Sequence, residues 1–137
     1  MYIIYNLLLI VVFVVFVLPY YTYRLFTEKG FSRRFRQSLG RVHNKEIEKV
    51  MRKDCIWIHG ASVGEIVATS PLVKQIRLEM PDRPILVSAF TVGGYNMAKQ
   101  IIPEADAIIF FPLDLPFVAE SMVIRIHAGI FMSVGPD

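Results

Sequence analysis

Residues 1–23 carry no charged side chain, and residues 3–18 are apolar apart from Tyr5 and Asn6. A run of that length matches the roughly 20 apolar residues with which a single helix crosses a bilayer. Tyr2, Tyr5, Tyr20, Tyr21 and Tyr23 flank it as interfacial anchors, and Pro19 is expected to mark the exit. A cleaved secretion signal would begin with basic residues, have a shorter apolar core and end in small residues. None of these features is present, so the pattern predicts an uncleaved transmembrane anchor over residues 1–23.

Residues 24–54 are polar and charged, with Gly30 and Gly40 as breakers and a short helical pattern over 44–51. They read as a basic juxtamembrane arm. From Cys55 onward, short apolar runs alternate with longer amphipathic ones, the mark of βαβ units around a parallel sheet. Strands are expected at 55–59, 85–90, 107–111 and 129–134. Helices are expected through about residue 80, stopped by Pro81, then over 95–102, ended by Pro103, and from Pro116 to about His127. The predicted fold class is α/β, a right-handed parallel sheet over residues 55–137 with helices on both faces. Open parallel sheets bind ligands at the carboxyl ends of their strands, which directs attention to the loops at 60–65, 91–94 and 112–116.

Charge adds an orientation. Arg24, Lys29, Arg33, Arg34, Arg36 and Arg41 follow the apolar run with only Glu28 opposing them. Positive flanks stay on the cytoplasmic side, so the rest of the chain is expected there. Arg33, Arg34 and Arg36 would then lie against anionic headgroups, each contributing about 1 kcal/mol. The net charge of +3 is modest, and no RNP, zinc-finger or helix-turn-helix spacing is present, so nucleic acid is not an expected partner. Cys55 is the lone cysteine, which excludes an intrachain disulfide and a site of several thiolates. His43, His59 and His127 are not spaced as a metal cluster, and no metal is assigned.

The candidate chemistry lies in Trp57-Ile58-His59-Gly60-Ala61-Ser62-Val63-Gly64-Glu65. Gly60 to Gly64 matches the G-x-S-x-G nucleophile elbow, but a hydrolase triad also needs an acid and a histidine further along, and only His127 follows. A glycine-bearing turn at a helix N-terminus can instead cradle an anion, although neither standard phosphate-loop spacing is present. In a third reading Glu65 is the working group: the third residue of an S-x-x-E capping box with Ser62, a general base beside His59, or both. Desolvation would raise its pKa and the helix N-terminus would lower it.

This stretch resembles the W-x-H-x-x-S-x-G-E signature of the 3-deoxy-D-manno-octulosonic acid (Kdo) transferases of lipopolysaccharide assembly. Further segments are similar in the same order: Pro81-Asp82-Arg83-Pro84 leading into the next strand, then Thr91, Gly94 and Ala98-Lys99, and Pro112-Leu113-Asp114-Leu115-Pro116. The resemblance implies a GT-B glycosyltransferase with two Rossmann-like domains, of which residues 55–137 would be a partial N-terminal, acceptor-binding one. The N-terminal one faces a lipid A precursor at the inner membrane, and the C-terminal one binds the donor CMP-Kdo. Transfer is inverting and uses no metal or other cofactor. The resemblance makes Glu65 the general base and His59, Gly60, Ser62, Gly64, Thr91 and Gly94 acceptor-side residues.

Two departures accompany it. Gly93 stands where the family has a second threonine, and the E-T-E-L-W-P segment expected after the fourth strand is absent. The resemblance covers about residues 20–134. This chain is therefore expected to be the N-terminal part of such an enzyme, without turnover alone unless a second chain supplies the donor domain. The rival expectation is a non-catalytic, membrane-anchored domain that binds acidic glycolipid or a partner through its basic arm.

Overall fold

The computed structural model describes residues 2–27 and 30–135; of the residues named above, Glu28 and Lys29 lie outside them. The chain divides into two compact units, Met1–Ser32 and Arg33–Asp137. In the first, helix α1 (Tyr2–Val12) passes through a π turn (Phe13–Val17) into α2 (Leu18–Thr27). The segment Ile4–Arg24 is long and apolar enough to cross a membrane.

Pro19 lies inside this helix, which runs on to Thr27. A proline inside an α-helix removes one N–H and presses its ring on the carbonyl four residues back. Here the N–H of Leu18 already bonds to the carbonyl of Phe13, five residues back. The wider turn shifts the hydrogen-bond ladder just where the ring enters, and the helix runs on.

The second unit is a four-stranded parallel sheet in the order β3-β2-β1-β4. Helices α3 (Phe31–Ser38) and α4 (Asn44–Ile47) precede β1 (Ile56–Gly60). There follow α5 (Val63–Glu79), β2 (Ile85–Ala89), α6 (Val92–Ile101), β3 (Ala107–Phe110), α7 (Pro116–Ile126) and β4 (Ile130–Val134). The α/β class and the parallel sheet stand as read from the alternation, and the sheet fits the partial Rossmann-like domain that the resemblance implies.

Both faces of the sheet are covered, which is why β1 and β2 are nearly continuous apolar runs. Ile56, Ile58, Val87 and Ala89 pack with Ile66 and Val73 of α5 and with Tyr95 and Ala98 of α6. Trp57, Leu86 and Ile109 face the other way, onto Met122 and Ile126 of α7.

Residues 24–54 are more than a connector. Val42, Ile47 and Val50 are buried in the α7-side core, so the domain takes in residues read as an arm. Gln37 of α3 is also fully buried. Its Oε1 accepts the N–H of Phe110 on the edge strand β3 at 2.9 Å, and its Nε2 donates to Glu46 at 2.7 Å. Gln37→Leu keeps the bulk and leaves that buried N–H without an acceptor. The expected cost is about 1–3 kcal/mol, read as a lower urea midpoint for the chain in detergent.

Candidate active site

The carboxyl ends of β1, β2 and β3 open onto the three loops singled out above. β1 pairs with β2 on one side and β4 on the other, so the chain reverses its direction of sheet growth at β1. The crevice above such a reversal is where open α/β sheets take ligands.

The first loop is shaped by a close approach. A Cβ on Gly60 would meet Ile66 Cδ1 at 3.1 Å and the backbone of Glu65 and Ile66 at 3.3 Å. Glycine there lets the first turn of α5 sit directly on the end of β1. Ser62 caps that turn, its Oγ accepting the N–H of Glu65 at 3.4 Å. The Glu65 side chain folds back, with Oε2 accepting the N–H of Ala61 at 2.5 Å and Oε1 accepting the Ser62 hydroxyl at 3.1 Å.

Glu65 is thus a capping residue in fact, and its reach is one residue longer than in the standard box. Its pKa is lowered, mainly by the Ala61 N–H, against an opposing effect of burial second only to that bond and with smaller help from Ser62 and His59. The competition between desolvation and hydrogen bonding goes to hydrogen bonding because the carboxylate stays accessible to water. The ionised group has four lone-pair positions, of which the Ala61 N–H and the Ser62 hydroxyl use two.

The second loop abuts the first. Thr91 caps α6, accepting the N–H of Gly94 at 3.0 Å, and its own N–H donates to the carbonyl of Ala61 at 3.3 Å. A Cβ on Gly94 would stand 3.1 Å from Thr91 Oγ1, 3.3 Å from Ala89 Cβ and 3.5 Å from the Ser62 carbonyl carbon. Gly93 lies against Val63, where a Cβ would meet Cγ2 at 3.2 Å. Gly64 differs: nothing lies within 4 Å of where its Cβ would be. The helix packing does not demand that glycine.

His59 is half-buried at the end of β1. Its Nδ1 lies 3.0 Å from Ser88 Oγ and 3.2 Å from the Ser88 carbonyl. The ring is 4.1 Å from that of Phe111. Burial lowers its pKa, which favours the neutral imidazole, and is partly offset by the Ser88 carbonyl and by the charge of Glu65.

His59, Gly60, Ser62, Gly64, Glu65, Thr91 and Gly94 therefore share one edge of the sheet. The three arginines fare differently. Arg33 donates to Tyr95 Oη at 3.1 Å and lies 3.9 Å from Glu46. Arg34 lies over the ring of Phe90, the residue before Thr91, at 5.0 Å. Arg36 is exposed. Ser88, Phe111 and the Ala61 N–H were not visible as site groups in the sequence. Strand alternation, once the register of β1 and β2 is known, would have found Ser88.

The hydrolase reading fails on topology. Ser62 follows β1, at the carboxyl edge, whereas His127 follows α7 just before β4 begins, at the opposite edge. The hydroxyl of Ser62 is spent on Glu65.

The family model described as 3-deoxy-D-manno-octulosonic-acid transferase (kdotransferase) matches residues 33–135. A 62-residue stretch is 40% identical to the 3-deoxy-D-manno-octulosonic acid transferase of Haemophilus influenzae, covering 45% of this chain and 14% of that one. Over 69 residues the chain is 38% identical to the Chlamydia muridarum enzyme of the same name, covering 50% and 16%. A probable mitochondrial 3-deoxy-D-manno-octulosonic acid transferase of Arabidopsis thaliana is 31% identical over 65 residues, covering 47% and 14%. The chain thus covers less than a fifth of the length of each of these relatives. With the family match extending over well more than half of its residues, the chain belongs to the 3-deoxy-D-manno-octulosonic-acid transferase family.

Proposed function

We propose that this chain is the acceptor-binding part of a Kdo transferase of GT-B architecture. In this reading it holds a lipid A precursor while a donor-binding domain outside these residues, or on a second chain, presents CMP-Kdo. The attacking sugar hydroxyl forms a bond to the anomeric carbon of Kdo, CMP leaves, and Glu65 takes the hydroxyl proton. Inversion follows from attack opposite the leaving group. No cofactor or metal enters this reading.

The observation that carries it is Glu65 at the carboxyl edge of the sheet: ionised, held by Ala61 and Ser62, and with lone pairs to spare. Thr91 and Gly94 line the neighbouring turn, and Gly64 leaves open space beside it. Arg33, Arg34 and Arg36 are the basic residues of α3 for lipid phosphates or headgroups, with Arg36 exposed and Arg33 also bonded to Tyr95. Leu115 and Phe117, exposed just beyond β3, suit acyl chains. The helix over Ile4–Arg24 is read as a single-pass inner-membrane anchor that leaves the domain on the cytoplasmic side.

A chimera tests the proposal. Residues 33–135 replace the matching segment of the Haemophilus influenzae relative, and membranes carrying it are supplied with CMP-Kdo and a lipid A precursor. Transfer of Kdo to the lipid is the expected result. A folded chimera that binds the lipid and transfers nothing would leave the rival glycolipid-binding module as the better account.

A further inference from the structure

Trp57 and His59 project from the same face of β1, and Ser88 stands opposite His59 on β2. The indole N–H of Trp57 donates to Ser88 Oγ at 2.8 Å in a buried position. Indole nitrogen has no lone pair to offer, so this bond runs in one direction only. Ser88 is fully buried, and its hydroxyl still carries a proton that needs an acceptor. Among the described residues the acceptor within reach is His59 Nδ1, at 3.0 Å.

The order of donors is therefore Trp57 N–H to Ser88 Oγ, then Ser88 O–H to His59 Nδ1. With Nδ1 accepting, the proton of the neutral ring belongs on Nε2. The other tautomer would turn Nδ1–H toward the Ser88 carbonyl at 3.2 Å. It would strand the Ser88 hydroxyl proton where water does not reach, at the cost of an unmade buried hydrogen bond. Phe111, stacked at 4.1 Å with the ring planes 33° apart, holds the imidazole in place. Among the described residues Nε2 has no hydrogen-bond partner, and it is not sealed away from solvent.

We infer that His59 is a fixed Nε2–H hydrogen-bond donor for an oxygen of the sugar acceptor beside Glu65, and that Ser88 is the positioning residue that sets its tautomer. The ligand class rests on the proposed function, whereas the tautomer does not. One carboxylate that accepts and one imidazole that donates suit a sugar carrying neighbouring oxygens.

Histidine-selective nitrogen NMR on the full chain in detergent micelles at neutral pH reads the tautomer directly. A proton on Nε2 is expected for His59. In Ser88→Ala it should move to Nδ1, because the backbone carbonyl of residue 88 remains as acceptor. A wild-type ring protonated on Nδ1 would overturn the inference whatever the variant does.

The ligand arm uses a micelle-dispersed lipid A precursor. His59→Gln, whose terminal amide can stand where Nε2–H stands, should bind it nearly as well as wild type. His59→Asn, which is too short, should lose about tenfold, the weight of one hydrogen bond. Equal binding by both variants overturns the contact to His59. Failure of the wild-type chain to bind the lipid instead removes the acceptor reading itself, and with it the ligand assigned to His59.

Discussion

Glu65→Gln in the chimera should lower Kdo transfer by about 10²–10⁴-fold, the usual contribution of a general base, with little loss of thermal stability. The pairing of those two readouts is what gives the variant its force. Glutamine preserves the length and shape of the side chain. Its amide oxygen can still accept the Ala61 N–H, and its amide nitrogen can donate to Ser62 Oγ once that hydroxyl turns around. The cap on α5 therefore survives, because Ser62 still accepts the Glu65 N–H. What glutamine cannot do is take a proton. If Glu65 were a capping residue and nothing more, transfer would stay near wild type, and Glu65→Ala would be the damaging change through loss of the fold-back bonds.

The same carboxylate has a pH signature. Hydrogen bonds from Ala61 and Ser62 hold its pKa below the ordinary value of 4.5. A depressed folded-state pKa contributes stability above the unfolded value, and that contribution is lost as pH falls through the folded value. The small stability difference between wild type and Glu65→Gln near neutral pH should accordingly shrink as pH falls below 4.5 and vanish below the folded-state value. The acid limb of transfer should also lie below the range of a free glutamate. An acid limb above that range would mean that some group other than this carboxylate must lose its proton for turnover.

Much of this was readable in advance, for reasons that differ by element. β1, β2 and their following helices could be read because a buried parallel strand needs an unbroken apolar run, and the run length separates it from a helix. The Ser62–Glu65 pair was readable because capping is local, decided within four residues. Pro19 sits inside the helix because the π turn before it absorbs its ring, a feature that the proline's own neighbours in sequence do not announce. Residues 24–54 read as an arm because their charges outnumber the few side chains that count: Val42, Ile47 and Val50 are buried, and the short helical spacing of Ile47 and Val50 does not reveal what they pack against. Gln37 and Ser88 were out of reach for a stronger reason. Each is a polar residue whose partner, Phe110 or His59, lies far along the chain, so its role exists only once strand order and register are set.

Phe110→Ala should destabilise the domain by about 3–5 kcal/mol, the cost of emptying a large, fully buried aromatic site. Phe110 has no exposed surface, and its ring stacks on Tyr95 at 4.3 Å with the planes only 14° apart. It belongs to the edge strand β3, whose outer side has no neighbouring strand in this sheet. Two devices hold that edge: the Phe110 ring against α6, and the Phe110 N–H against Gln37 of α3. Tyr95 then passes the contact on, since its hydroxyl accepts from Arg33. Removing the ring should therefore loosen α6 and α3 together and, through the first turn of α6, the Thr91 turn that touches the Ala61 loop. Urea unfolding of the chain in detergent gives the stability loss. Amide hydrogen exchange adds the sharper test: protection should fall at Gly94 and Tyr95, whose N–H groups bond to Thr91, well before it falls in β1. Uniform loss across the sheet would instead mean that Phe110 supports the core generally and does not hold the second loop of the site.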